Sequence, residues 1–189
     1  MNENDPYTLE EKKELLQVAR KTIENYLAKG KKEYPRTDNP NFSEKRGVFV
    51  TLHKKGDLRG CIGNPMPGKP LIEAVVDNAI SSAAEDYRFS PVSVEELDDI
   101  DIEISVLTVP QRVKSYKDVV VGRDGIIISK SFMKGLFLPQ VPVEQGWDLE
   151  QYISWGCRKA GLPAYEWKKG VEIETFQGIV FGEKELGSL

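Results

Sequence analysis

Val48-Phe49-Val50-Thr51-Leu52-His53-Lys54-Lys55-Gly56-Asp57-Leu58-Arg59-Gly60-Cys61-Ile62-Gly63 reads as one β-hairpin. Its first half is rich in β-branched and aromatic residues, Lys55-Gly56-Asp57 is a turn signal, and Leu58 to Gly63 returns as a second strand. Upstream, Thr8 and Glu11 form a capping box for a helix whose stripe of Leu15, Ala19, Ile23 and Leu27 ends at Gly30. Residues 31 to 46 read as a polar loop. Downstream, Pro70 opens a second helix carrying Ile72, Val75, Val76, Ala79, Ile80 and Ala83 on one face. Asp101 to Leu107 alternates as a strand with one wet face. Val119-Val120-Val121 and Ile126-Ile127-Ile128 flank a turn at Gly122 to Gly125 and predict a hairpin, which Gly135 to Leu138 extends. A third helix follows from Leu149 to Ala160, closed by Gly161. A last strand starts at Val171 and runs toward Val180. Helices do not alternate regularly with strands in this order. The prediction is therefore an α+β fold with a mainly antiparallel sheet flanked by helices.

The chain has 189 residues, 40% of them hydrophobic and 30% charged, as a self-sufficient globular domain requires. A membrane span is not expected, since no apolar run reaches about 18 residues. Met1-Asn2-Glu3-Asn4-Asp5-Pro6 is polar and acidic, unlike a signal peptide. Two cysteines, Cys61 and Cys157, fit a reducing cytoplasm better than a disulfide framework. His53, the one histidine, rules out a metal centre built on two imidazoles, and no Cys-x-x-Cys pair occurs. The formal charge of −4 argues against a general nucleic-acid binder, which displaces counterions with a basic face. Lys29, Lys31, Lys32 and Arg36 read as a solvated helix end, and the acidic run from Glu85 to Glu103 as a hydrated loop or a docking surface for a basic partner.

Leu58-Arg59-Gly60-Cys61-Ile62-Gly63 is the most unusual stretch. Two glycines bracketing a cysteine in a strand call for a bulge, a bend or a close backbone approach. Two accounts stand side by side. In one, Cys61 is a small buried hydrophobe within a hairpin. In the other, Gly60 and Gly63 admit an anionic group, Arg59 and Arg88 clamp it, Asp86 orients an arginine, and Cys61 is the nucleophile. A two-residue turn at Lys55-Gly56 pairs His53 with Leu58 and residue 50 with Cys61. His53 then lies on the face opposite Cys61 unless a bulge at Gly60 reverses the parity. Cys157 falls on an apolar helix stripe and reads as core, and Trp147, Trp155 and Trp167 as core or interface aromatics.

The hexapeptide Leu58 to Gly63 resembles the signature of the AMMECR family. The likeness continues through Ala83-Ala84-Glu85-Asp86-Tyr87-Arg88-Phe89, Ile102 to Thr108, Gly135 to Val141 and Cys157 to Leu162, so it spans nearly the whole chain. The short flanks resemble the compact archaeal or bacterial form. The resemblance implies one domain over residues 1–189 made of a larger and a smaller lobe, with the signature near a cleft. It carries no established activity or cofactor, and it implies an association in microbes with Memo-type and radical-SAM proteins. The expected function is a small anionic ligand or substrate site at Leu58 to Gly63, with cysteine-dependent catalysis as one form of it. The alternative is a non-catalytic module that docks a protein partner.

Overall fold

In the computed structural model, which describes residues 5–187, the elements in chain order are α1 (Leu9–Lys29), α2 (Pro40–Ser43), β1 (Val48–Lys54), β2 (Asp57–Asn64), α3 (Leu71–Ala84), β3 (Ile100–Leu107), β4 (Gln111–Arg112), β5 (Gly125–Lys130), β6 (Met133–Phe137), α4 (Gln140–Glu144), α5 (Leu149–Lys159), β7 (Glu172–Phe176), β8 (Gly178–Gly182) and α6 (Glu183–Leu186). Short 3-10 turns cover Val94–Asp99, Tyr116–Asp118 and Glu166–Lys169. The fold is α+β, and its strands form two four-stranded sheets in place of one. The chain divides into two compact units, one running to Leu107 and resuming at Ile179, the other Thr108–Gly178.

In the first unit the strand order is β2-β1-β3-β8, with β1 antiparallel to both β2 and β3. Val48, Val50 and Leu52 of β1 and Ile102, Ile104 and Val106 of β3 are fully buried beneath α1 and α3, while the alternate residues stay mostly half-buried. That is the period-2 pattern the sequence carries. The capping box of α1 forms as read, and Gly30 closes it at φ 64°. The polar loop contains α2, which sets Phe42 wholly inside the core. Lys32, Tyr34 and Lys69 gather on Asp77 of α3, so part of the basic cluster serves to tie the loop down.

In the second unit the order is β4-β7-β5-β6, every pair antiparallel, with α5 packed on β5 and β6. The predicted hairpin here is displaced. Val119 to Val121 forms no strand, because the Val120 N–H is held by the Asp124 carboxylate at 2.9 Å and Val120 itself is exposed. The true hairpin joins β5 to β6 across Ser131 and Phe132. The predicted last strand is two strands, β7 and β8, interrupted at Gln177, whose N–H turns to the Thr108 hydroxyl at 2.9 Å. Cys157 is fully buried, which pushes its thiol pKa up by desolvation. Trp147 stacks on Trp155 at 5.4 Å between centroids, with the Arg158 guanidinium over the Trp155 ring at 4.7 Å.

Candidate functional site

The β1–β2 turn places Lys55 and Gly56 at φ 55° and 95°, the primed geometry that suits a two-residue hairpin. Pairing starts as the sequence predicts, Lys54 with Asp57 and His53 with Leu58. The register then shifts. Leu52 pairs with Gly60 and Thr51 with Cys61, which leaves Arg59 as the extra residue of a bulge. The expected pairing of residue 50 with Cys61 is thereby corrected, and the parity is reversed. Cys61 shares a sheet face with Thr51 and His53.

β2 is an edge strand, and its outward peptide groups need partners. At Cys61 a side-chain ion pair supplies both. The Cys61 N–H donates to Asp86 Oδ2 at 2.9 Å, and its carbonyl accepts from Arg88 Nη2 at 3.0 Å. Asp86 and Arg88 bond each other through Nε–Oδ1 at 2.9 Å and Nη2–Oδ2 at 2.7 Å. The pair thus takes the place of a residue on a neighbouring strand. Asp86 is buried, and the Arg88 guanidinium beside it holds its carboxyl far below the usual range, helped by the N–H groups of Cys61 and Arg88. Because the outward groups of Cys61 are the ones held, Thr51–Cys61 is the non-hydrogen-bonded kind of pair, with Cα atoms about 4.5 Å apart. The Thr51 hydroxyl accordingly reaches Cys61 Sγ at 3.2 Å.

α3 reinforces the strand with polar residues that the sequence reading passed over. Asn78 Nδ2 donates to the Val48 carbonyl at 3.1 Å. Ser82 Oγ donates to the Val50 carbonyl at 2.7 Å and accepts from the Ile62 N–H at 2.8 Å, so one buried hydroxyl bridges the Val50–Ile62 pair. With Asp86 these residues recur every four positions along the helix and just past its end. Two polar residues on an otherwise apolar stripe were the available signal. The glycines fit this contact. A Cβ at Gly60 would collide with the Ser82 carbonyl oxygen, and one at Gly63 with the ring of Phe49, its cross-strand partner.

Arg59 is held by partners other than those that hold Arg88. Its guanidinium grips Glu96 through Nε–Oε1 at 3.1 Å and Nη2–Oε2 at 3.0 Å, and donates to the Ser90 carbonyl at 2.9 Å. Its side chain is 13% exposed, against 43% for Arg88. Arg59, the Ser93 N–H and Lys54 hold the Glu96 carboxyl down to about 2. That contribution to stability is complete above the ordinary glutamate value of about 4.3 and drains away as pH falls below it. Arg59→Lys, which cannot reproduce the planar fork, is expected to cost about 1–2 kcal/mol in urea unfolding at pH 7.

His53 lines a different region, an open cavity of about 1120 Å³ shared with Lys55, Asp101, Glu103 and Lys184. Burial raises the Glu103 carboxyl there, with His53 opposing. Cys61 is half-exposed and does not line that cavity. Among the described residues, no group of three or more His, Cys, Asp or Glu is placed to hold a metal ion, and no helix is long and apolar enough to cross a membrane.

The comparisons with known proteins agree with this architecture. An uncharacterized protein of Pyrococcus horikoshii, PH0010, has a crystal structure matching at a TM-score of 0.70 with 44% identity, over 90% of each chain. Protein MJ0810 of Methanocaldococcus jannaschii is 49% identical over 94% of this chain and 92% of its own length. A protein of Methanothermobacter thermautotrophicus is 50% identical over 94% and 97%. None of these names carries an activity. The AMMECR1 family model matches residues 16–181, and the chain belongs to that family.

Proposed function

We propose that this protein binds a small anionic ligand on the half-open face of β2, with Arg88 as the anion contact and the Cys61 sulfur beside it. For an electrophilic ligand, Cys61 is the reacting atom. The clamp carries this reading. It fixes the Cys61 peptide against a guanidinium whose inner edge is spent on Asp86 and the Cys61 carbonyl, while the side chain remains 43% exposed. A cation already immobilised loses little entropy when an anion arrives. Asp86 orients Arg88 in this reading, and Arg59, Gly60 and Gly63 shape the strand beneath. Two free thiols fit a reducing cytoplasm.

Iodoacetate and iodoacetamide test it, since they differ in charge but not in chemistry. In both, sulfur displaces iodide, a C–S bond forms and the thiol proton passes to solvent. The iodoacetate-to-iodoacetamide rate ratio at Cys61 is expected to exceed that of free cysteine by about threefold or more. Arg88→Gln should return it to the free-thiol value. A free-thiol ratio in the unmodified protein overturns the reading. Cys157 is buried, and Cys61→Ser supplies the blank.

A second reading rests on Tyr87. It is 94% exposed next to the anchored Arg88, and tyrosine beside arginine is a frequent composition at protein interfaces. In that reading the same corner docks a protein partner without catalysis.

A further inference from the structure

We infer that Thr51 is a positioning residue for the Cys61 thiol, directing the sulfur toward a ligand that is both anionic and a soft electrophile. This rests on the ligand-site reading above. The bulge at Arg59 sets Thr51, and not Val50, opposite Cys61, and the non-hydrogen-bonded pairing draws their side chains together. The Thr51 hydroxyl is 3.2 Å from Sγ, short for a contact to sulfur. Thr51 is buried and β-branched, so its own rotamer is stiff and the hydroxyl stays where the strand puts it.

The Cys61 side chain, by contrast, has an unbranched χ1 with three staggered wells. An O–H aimed at sulfur selects among them. The hydroxyl bonds the thiolate, which is the attacking form, more strongly than the thiol, because an ionised acceptor makes the stronger bond. The backbone clamp and the hydroxyl therefore divide the work. Asp86 and Arg88 fix the Cα, and Thr51 fixes the sulfur.

Thr51→Val and Thr51→Ser in the full chain separate this role from packing. Alkylation of Cys61 by iodoacetamide is expected to slow about threefold in the valine variant and to return to within about twofold of the unmodified rate in the serine variant. The iodoacetate-to-iodoacetamide ratio, which belongs to Arg88, should stay constant in both. A valine variant that alkylates at the unmodified rate overturns the inference. So does a serine variant as slow as valine. Thr51→Ala, which removes the hydroxyl without adding an apolar branch, decides the matter if the valine variant does not fold. A free-thiol reagent ratio together with a Thr51 effect would strike the anion reading, and with it the anionic ligand named here, and leave only the positioning of the sulfur by Thr51. Failure of Cys61 to alkylate in the native protein would remove both.

Discussion

Asp86→Asn is expected to destabilise the protein by about 2–3 kcal/mol at pH 7, the largest loss from any isosteric change in the signature region. The carboxylate accepts four hydrogen bonds, from the N–H of Cys61 and from the N–H, Nε and Nη2 of Arg88. Asparagine offers one acceptor oxygen and turns an NH2 toward a guanidinium. A fully buried ion pair broken this way costs about 3–5 kcal/mol. Arg88 keeps access to water, which lowers the figure. The pH dependence follows from the depressed carboxyl. An unfolded chain takes up a proton near the ordinary aspartate value of about 3.9, and the folded chain only at much lower pH. The stabilisation is therefore complete above about pH 5 and falls as acid is added through that value. Urea unfolding from pH 7 to pH 3 should show the gap between the two proteins narrowing below about pH 4. A gap that stays constant would mean that shape, not charge, holds the strand.

The parts of this architecture governed by local rules were legible in the sequence. Thr8 and Glu11 start α1 and Gly30 ends it because capping chemistry involves neighbours three or four residues apart. The β1–β2 turn was legible for the same reason. The bulge was not, since it answers a tertiary demand. Arg59 is displaced from the ladder where it can reach Glu96 and the carbonyl of Ser90, residues more than 30 positions away. The ion pair of Asp86 with Arg88 could be anticipated from their spacing, but its target, the peptide of Cys61, could not. Likewise Val119 to Val121 has every local mark of a strand, and Asp124 overrides it. The residues singled out around Cys61 do assemble at one corner, yet with different tasks. Arg59 and Asp86 hold structure, whereas Arg88 and Cys61 retain exposed surface.

Gly60→Ala distinguishes a glycine that makes room for a ligand from one that makes room for the protein itself. The obstacle is the carbonyl oxygen of Ser82, part of the backbone of α3, so no side chain can swing aside. The helix end must retreat from β2, and that retreat stretches the Ser82 hydroxyl bridge and the Asp86 contact to Cys61 together. Overpacking against backbone is expected to cost about 2–3 kcal/mol, seen as a lower urea midpoint. At Gly63 a Cβ would meet the Phe49 ring and also the Val48 carbonyl oxygen, again backbone, so Gly63→Ala is expected to cost a similar amount. Amide exchange at Ile62, whose N–H bonds Ser82 Oγ, should accelerate in the Gly60 variant ahead of amides in β3. If Gly60→Ala instead keeps full stability while Cys61 loses its preference for iodoacetate, the glycine serves the ligand. The close approach of α3 to β2 would then be tolerant of a methyl group, and the packing argument for this hexapeptide would fall.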